Sequence, residues 1–243
     1  MIKIEINRQN RYPLPAMKPK NLKCPFTWEH RRPLIHDRVL YVPDYYDRHH
    51  EWTFPGWESP DVFGRKAPLS VEYCTGNGAW IIEKALAHPE LNWVAVEWQF
   101  ERVRKIWSKM HNFQLSNLFI VSGEALTFTH FYVPDCSFGA IYINFPDPWP
   151  KDKHAKNRLL KEPFLREMAR AAAPNATAMM VTDHADYAQQ ILLGMLANPK
   201  WEAQLPAPHF ATDWDNYGTS YFDALWREKG LQIHYMPFKR RVS

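Results

Sequence analysis

Leu69-Ser70-Val71-Glu72-Tyr73-Cys74-Thr75-Gly76-Asn77-Gly78 is a short run of strand-forming residues that breaks at two glycines one residue apart. After the break Trp80, Ile81, Ile82, Ala85 and Leu86 recur at helical spacing until His88-Pro89 stops the helix. A strand, a glycine turn and an amphipathic helix form the opening unit of an α/β sheet. In such sheets ligands bind beyond the carboxyl ends of the strands, and the first turn is where backbone approaches them closely.

The alternation continues downstream. Strands are expected at Trp93–Glu97, Leu118–Val121, Ala140–Phe145 and Ala178–Thr182, and helices at Phe100–Met110, Pro163–Ala173 and Tyr187–Leu196. Repeated strand and helix implies a mostly parallel sheet with helices on both faces. A polar and aromatic loop (Trp214–Gly218), a helix (Tyr221–Glu228) and a last strand (Leu231–Met236) follow. The alternating character of that strand places it at or near a sheet edge.

Upstream the pattern is different. The 243 residues include 20 prolines but only 9 glycines, and nine of those prolines lie in residues 1–68 with Trp28, Trp52 and Trp57. Proline there excludes long regular elements, while the aromatics need something to pack against. Residues 1–68 therefore read as a mobile basic arm (about 1–25) followed by an irregular extension lying on the domain formed by 69–243.

Charge divides the chain as well. Lys and Arg outnumber Asp and Glu by nine to three in residues 1–40, and by 13 to 10 in residues 151–243. Acids outnumber them 13 to 8 in residues 41–150. An acidic centre between basic flanks suits a carboxylate-bearing site that receives a polyanion.

The acids fall at strand ends: Glu72, Glu97 at the end of the second strand, and Glu124 after the third. A second-strand acid is placed to accept from ribose hydroxyls. A dinucleotide fingerprint is incomplete, because positions 74, 76 and 79 read Cys, Gly and Ala, and no Walker lysine follows. What remains, Glu72-x-x-x-Gly76-x-Gly78, resembles the first motif of class I S-adenosylmethionine-dependent methyltransferases, with Cys74 in place of the first glycine.

The fourth strand runs into Asn144-Phe145-Pro146-Asp147-Pro148-Trp149-Pro150-Lys151. Two prolines hold one aspartate at the carboxyl edge of the sheet. The basic run Lys151, Lys153, Lys156 and Arg158 comes next, of the kind that positions a phosphate backbone. This stretch, with Thr182-Asp183 and the segment after Gly218, is similar to the bacterial tRNA (guanine-N7)-methyltransferase family over residues 69–235. The first 68 residues carry no motif of it.

The resemblance implies a class I methyltransferase (Rossmann-like) fold and methylation of guanine N7 in tRNA, at position 46 of the variable loop. It implies cofactor contacts from Glu72, Gly76, Gly78, Glu97, Glu124 and Asp147, Asp147 being also the catalytic residue. It further implies substrate contacts from Lys151, Asp183, Ser220 and Asp223, and tRNA backbone contacts from Lys153, Lys156 and Arg158. The cofactor would be S-adenosylmethionine, leaving S-adenosylhomocysteine. Departures from the family pattern are Cys74, Glu124 for Asp, Asp152 and Asn157 in the basic run, and Ser220-Tyr221-Phe222-Asp223 for Thr-x-Phe/Tyr-Glu. Two other readings stand beside this one. They are a methyltransferase-fold RNA-binding protein without activity and a methylase of an exocyclic base amine.

Three cysteines form no C-x-x-C pair, so neither a disulfide framework nor a cysteine zinc site is expected. The eleven histidines show no H-E-x-x-H spacing, so no metal is expected. No apolar run approaches a membrane span and no signal-like segment opens the chain, giving an expectation of a cytoplasmic protein. Monomer and homodimer remain open at this level.

Overall fold

The computed structural model describes residues 16–218 and 221–242. Its strands are β1 (Leu34–His36), β2 (Val39–Tyr41), β3 (Leu69–Tyr73), β4 (Asn92–Glu97) and β5 (Leu118–Ser122), then β6 (Phe138–Asn144), β7 (Ala172–Thr182), β8 (Trp201–Ala203) and β9 (His234–Arg240). They form one sheet in the order β1-β2-β5-β4-β3-β6-β7-β9-β8. From β2 to β7 neighbours are parallel, whereas β1, β8 and β9 pair antiparallel. Chain order reverses between β3 and β6, so the crevice where an α/β sheet binds ligands opens above Tyr73 and Asn144.

Helices α1 (Ala79–Ala87) and α2 (Phe100–Asn112) cover one face, burying Trp80, Ile81, Val103, Ile106 and Trp107. Helices α3 (Ala125–Tyr132), α4 (Glu162–Ala171) and α5 (Ala185–Ala197) cover the other with Phe128, Phe164, Met168 and Ile191. A last helix, α6 (Tyr221–Glu228), precedes β9. The expected α/β arrangement with helices on both faces is thus present.

Helix α3 was not expected from the sequence. Its Thr, Phe and Tyr residues are poor helix formers, and it depends on tertiary packing of Phe128 and Tyr132 together with a cap from Glu124. The expected final strand Leu231–Met236 begins later, at His234, and is not alternating: six of its seven residues are buried. It lies one position in from the edge because the short β8 covers it. Pro237 is tolerated there because its carbonyl, and hence its missing N–H, faces beyond the end of β8, where it accepts from Gln204 N at 3.0 Å.

The extension is less irregular than its prolines suggested, since β1 and β2 form a hairpin that extends the sheet through β5. Asp37 and Arg38 turn it with φ of 49° and 62°, and the Arg38 guanidinium donates to the carbonyls of Leu115, Ser116 and Leu118 at 2.6–2.8 Å. Trp52, Phe54, Trp57 and Phe63 pack on the α3–α5 side of the core. The expected arm is corrected over residues 16–25: Leu22 is buried, Met17 bonds Asn112 and Ser108, and Arg104 donates to the carbonyls of Pro19, Lys20 and Leu22. Residues 1–15 lie outside the described ones.

Candidate active site

Three residues after β3 put their backbones in the left-handed region: Cys74 (φ 59°), Gly76 (φ 60°) and Gly78 (φ 72°). Gly78 is doubly constrained, because a Cβ there would stand 2.8 Å from Ile106 Cγ1 on α2. Cys74 takes, as an L-residue, the conformation a glycine takes cheaply. That geometry costs roughly 1–2 kcal/mol, partly offset by the greater entropy of glycine in the unfolded chain. Cys74→Gly is accordingly expected to raise the thermal midpoint slightly, read by calorimetry; a fall of several degrees would mean that thiol packing outweighs the strain.

The loop wraps the second-strand acid. Glu97 is 2% exposed, and its two oxygens accept from Gly76 N at 2.8 Å and Gln99 N at 2.9 Å, with Arg102 at 3.9 Å. Burial still pushes its pKa up against these bonds.

Glu72, 1% exposed, lies deeper. Asn144 Nδ2 donates to its Oε1 at 2.7 Å, and Tyr217 OH donates to Asn144 Oδ1 at 2.6 Å. The other oxygen, Oε2, is buried with no hydrogen-bond partner among the described residues. Burial raises the Glu72 pKa to about 8, only partly opposed by the Asn144 bond. Tyr217 is fixed in turn by Trp80, whose indole N–H donates to its carbonyl at 2.8 Å. Asn144 and Tyr217 had no assigned role in the sequence reading. A signal for Asn144 existed, a lone amide ending an apolar strand; Tyr217 comes from a distant loop and gave none.

Glu72, Gly76, Trp80, Asn144, Phe145 and Phe222 line a narrow recess. It adjoins, across Cys74, a cavity of about 510 Å³ lined by Glu97, Gly123, Glu124, Asp147 and Trp149 among others. That volume lies within the usual range of small-ligand sites. The sequence-predicted residues Glu72, Gly76, Glu97, Glu124 and Asp147 therefore line two neighbouring spaces that share Cys74, whereas Gly78 lines neither and packs against Ile106 instead.

Glu124 caps α3, its carboxylate accepting from Leu126 N, Thr127 N and Thr127 Oγ1 at 2.6–3.0 Å. Gly123 beside it is required by close approach, since a Cβ would meet the Val42 carbonyl at 2.7 Å.

Asp147 is exposed and, among the described residues, accepts only from Trp149 N, at 3.1 Å. Its loop is held rigidly. Phe145 and Trp149 sit at φ of 48° and 42°, Phe145 N donates to Val181 O, and Arg158 donates to Pro148 O at 2.7 Å and Gln190 at 2.5 Å while lying over Tyr187. Arg158, half-buried, thus braces the aspartate loop. Lys151, Lys153 and Lys156 are exposed around a short 3-10 helix, Asp152–Asn157.

The remaining candidates are not gathered into the cavity. Asp183 follows β7, half-buried, with no protein hydrogen bond or ion pair among the described residues. Asp223 is buried on α6, accepting from Arg227 Nε at 2.9 Å and Tyr235 OH at 3.3 Å. Ser220 lies outside the described residues. No group of three or more His, Cys, Asp or Glu suited to a metal ion occurs among the described residues.

Residues 66–235 match the family described as "Putative methyltransferase". The tRNA (guanine-N(7)-)-methyltransferases of Chlamydia trachomatis serovar D and Chlamydia caviae are 45% and 44% identical to this chain, over 93% of it and their own full length. That of Rubrobacter xylanophilus is 30% identical over 76% of the chain and 82% of its own. Among solved structures, the 16S rRNA methyltransferase KamB shares the fold, with a TM-score of 0.58 at 15% identity over 79% of this chain and 96% of its own. The fold, the strand-end acids around a glycine turn and the near-full-length identity agree, and the chain belongs to the tRNA (guanine-N(7)-)-methyltransferase family.

Proposed function

We propose that the protein transfers a methyl group from S-adenosylmethionine to N7 of a guanine in tRNA, with position 46 of the variable loop as the target. The observation that carries this reading is the buried, unpartnered Oε2 of Glu72 in the recess beside the glycine turn, in a chain whose relatives at 44–45% identity bear that activity's name. An orphaned carboxylate oxygen is costly unless a donor or cation meets it. S-adenosylmethionine carries an ammonium and a sulfonium, so its charged end fits the recess and its nucleoside end fits the larger cavity.

When bound, S-adenosylmethionine supplies an electrophilic methyl group. Everything else falls to the chain. Glu72, positioned through Asn144 and Tyr217, meets positive charge. Glu97 already accepts two backbone N–H groups and is placed to take ribose hydroxyls on rearrangement. Guanine N7 has a free lone pair, so no proton leaves the nucleophile and no general base is needed. Asp147, joined from outside the cavity lining by Asp183 at the end of the neighbouring strand β7, accepts from the guanine N1–H and N2 amino edge and turns N7 toward the methyl group. Its charge also favours the positive charge developing on the ring. Alignment of this kind can remove about 7–11 kcal/mol of barrier. The base leaves its stack to enter.

The deciding experiment incubates the protein with labelled S-adenosylmethionine and unmodified tRNA, then cleaves the product at N7-methylguanine. Label incorporated without cleavage would place the methyl group elsewhere and overturn the reading. Lys151 is exposed four residues after Asp147 and lines neither space of the site, so Lys151→Ala is expected to weaken tRNA binding more than turnover. The salt dependence of binding should fall by about 0.7–0.9 in log–log slope, the share of one phosphate. Filter binding across a salt series measures it. Since tRNA is handled in the cytoplasm, that compartment is part of the proposal; no helix among the described residues is long and apolar enough to cross a membrane.

A further inference from the structure

The N-terminal extension presents a surface that the methyl-transfer site does not use. Trp28 is 57% exposed and Tyr45 88% exposed, with ring centroids 6.2 Å apart. Arg31 binds the two segments together: it donates to the carbonyls of Trp28 and Tyr45, each at 2.8 Å, and of Asp44 at 3.2 Å. Its guanidinium lies 4.1 Å from the Trp28 ring centroid, covering one face of the indole and leaving the exposure to the other.

Beside these rings an open cavity of about 470 Å³ is lined by Thr27, His30 and Arg32 with Cys24, and no carboxylate lines it. Between residues 16 and 36 five Lys or Arg residues face a single acid, Glu29. Two exposed aromatic rings beside a hollow that carries one arginine and no carboxylate, on a segment rich in Lys and Arg, are the elements with which proteins hold an unpaired nucleic acid strand, bases stacking on rings and phosphates meeting cations.

The position is also appropriate. The carboxyl end of β2 leads into Val42, whose N–H bonds Ser122 O and whose side chain packs on Gly123. Asp44 is close enough to Glu124 for that carboxylate to help raise its pKa, behind the larger effect of burial. The Trp28–Tyr45 patch therefore stands at the Glu124 rim of the cavity, on the edge of the sheet where the methyl group is transferred.

We propose that Trp28, Tyr45 and Arg32 form a second tRNA contact surface, where unpaired bases stack on the two rings and the strand's phosphates run past Arg32. The proposal rests on tRNA being the substrate and gives residues 16–46 a function: they hold the strand while a guanine occupies the pocket. It separates affinity from chemistry, because none of the three residues lines the recess at Glu72 or the cavity at Asp147.

The test is direct binding of an unmodified tRNA transcript without cofactor, paired with methylation kinetics, on the full chain. Trp28→Ala/Tyr45→Ala is expected to raise the tRNA Kd and the tRNA KM roughly tenfold or more, the loss of one or two stacked bases. Turnover at saturating tRNA and the affinity for S-adenosylmethionine should stay within about twofold of wild type. Trp28→Phe/Tyr45→Phe should restore most of the binding, and Arg32→Gln should lower the salt slope by about 0.7–0.9. An unchanged Kd in the alanine double variant overturns the patch, even if an acidic protein were found to bind there. Wild type that binds tRNA without methylating it would count against the proposed reaction, and the Kd comparison would still decide the patch.

Discussion

Replacing Asp147 with alanine is expected to lower the rate of methyl transfer to tRNA by at least about a hundredfold, the usual loss when a charge-stabilising group is removed from an active site. The fold should remain near that of wild type, and the affinity for S-adenosylmethionine should fall far less than the rate, since Asp147 is one of many residues lining the cavity. The asymmetry follows from how the aspartate is held. Pro146, Pro148 and the left-handed Phe145 and Trp149 fix the loop, and Arg158 braces it through the Pro148 carbonyl. The carboxylate itself accepts one bond among the described residues, from Trp149 N. Removing it therefore costs little packing and no buried partner, while the guanine loses the acceptor that orients it. Asp147→Asn keeps one acceptor oxygen and loses the charge, so it should fall between wild type and alanine. Single-turnover rates with saturating tRNA, with cofactor titration and thermal unfolding as controls, measure the effect. Near-normal turnover in Asp147→Ala would sink the orienting role.

The sheet and the acids of this site were legible in the sequence for one reason: in an α/β fold function gathers at strand ends, and strand ends can be read from where apolar runs stop. Glu72, Glu97, Glu124 and Asp147 were found in that way, and the structure brings all four to two neighbouring cavities. What local pattern could not show was how the protein itself uses them. Glu124 is engaged as a helix cap, Glu97 by the glycine loop, and Arg158 as a brace. Each depends on a partner reached through a turn or from a distant element. Tyr217 is the clearest case, meeting Asn144 across 73 positions of chain. The hairpin β1–β2 escaped for a similar reason, since its three-residue strands gain stability only from pairing with β5, far downstream.

The second large effect concerns Glu72. Its pKa is raised by burial to about 8 from an ordinary value of 4.5, so the folded protein holds this proton across a pH range in which the unfolded chain has released it. Between about pH 4.5 and pH 8 the native state binds more protons than the unfolded state, and stability without ligand falls as pH rises through that window. Glu72→Gln keeps the acceptor for Asn144 Nδ2 and removes the charge. It is expected to raise the thermal midpoint of the free protein near pH 8, by an amount corresponding to a few kcal/mol at most. Ligand binding should show the reverse effect. A cationic cofactor favours the ionised carboxylate, so the wild-type Kd for S-adenosylmethionine should rise by up to about tenfold per pH unit as pH falls below about 8. The cofactor's own α-amino group titrates near the same pH, but it gains charge as pH falls, which tightens binding to an anion and cannot produce this weakening. Glu72→Gln keeps the amine's titration and loses the carboxylate's. Calorimetric titrations at pH 6.5, 7.5 and 8.5 separate the two, and at pH 8.5 the variant should bind about ten- to a hundredfold more weakly, the effect of an opposite charge removed from a buried site. Equal affinities of wild type and variant at that pH would show that the unpartnered oxygen of Glu72 does not meet the cation, and the recess would have to be assigned to another part of the ligand.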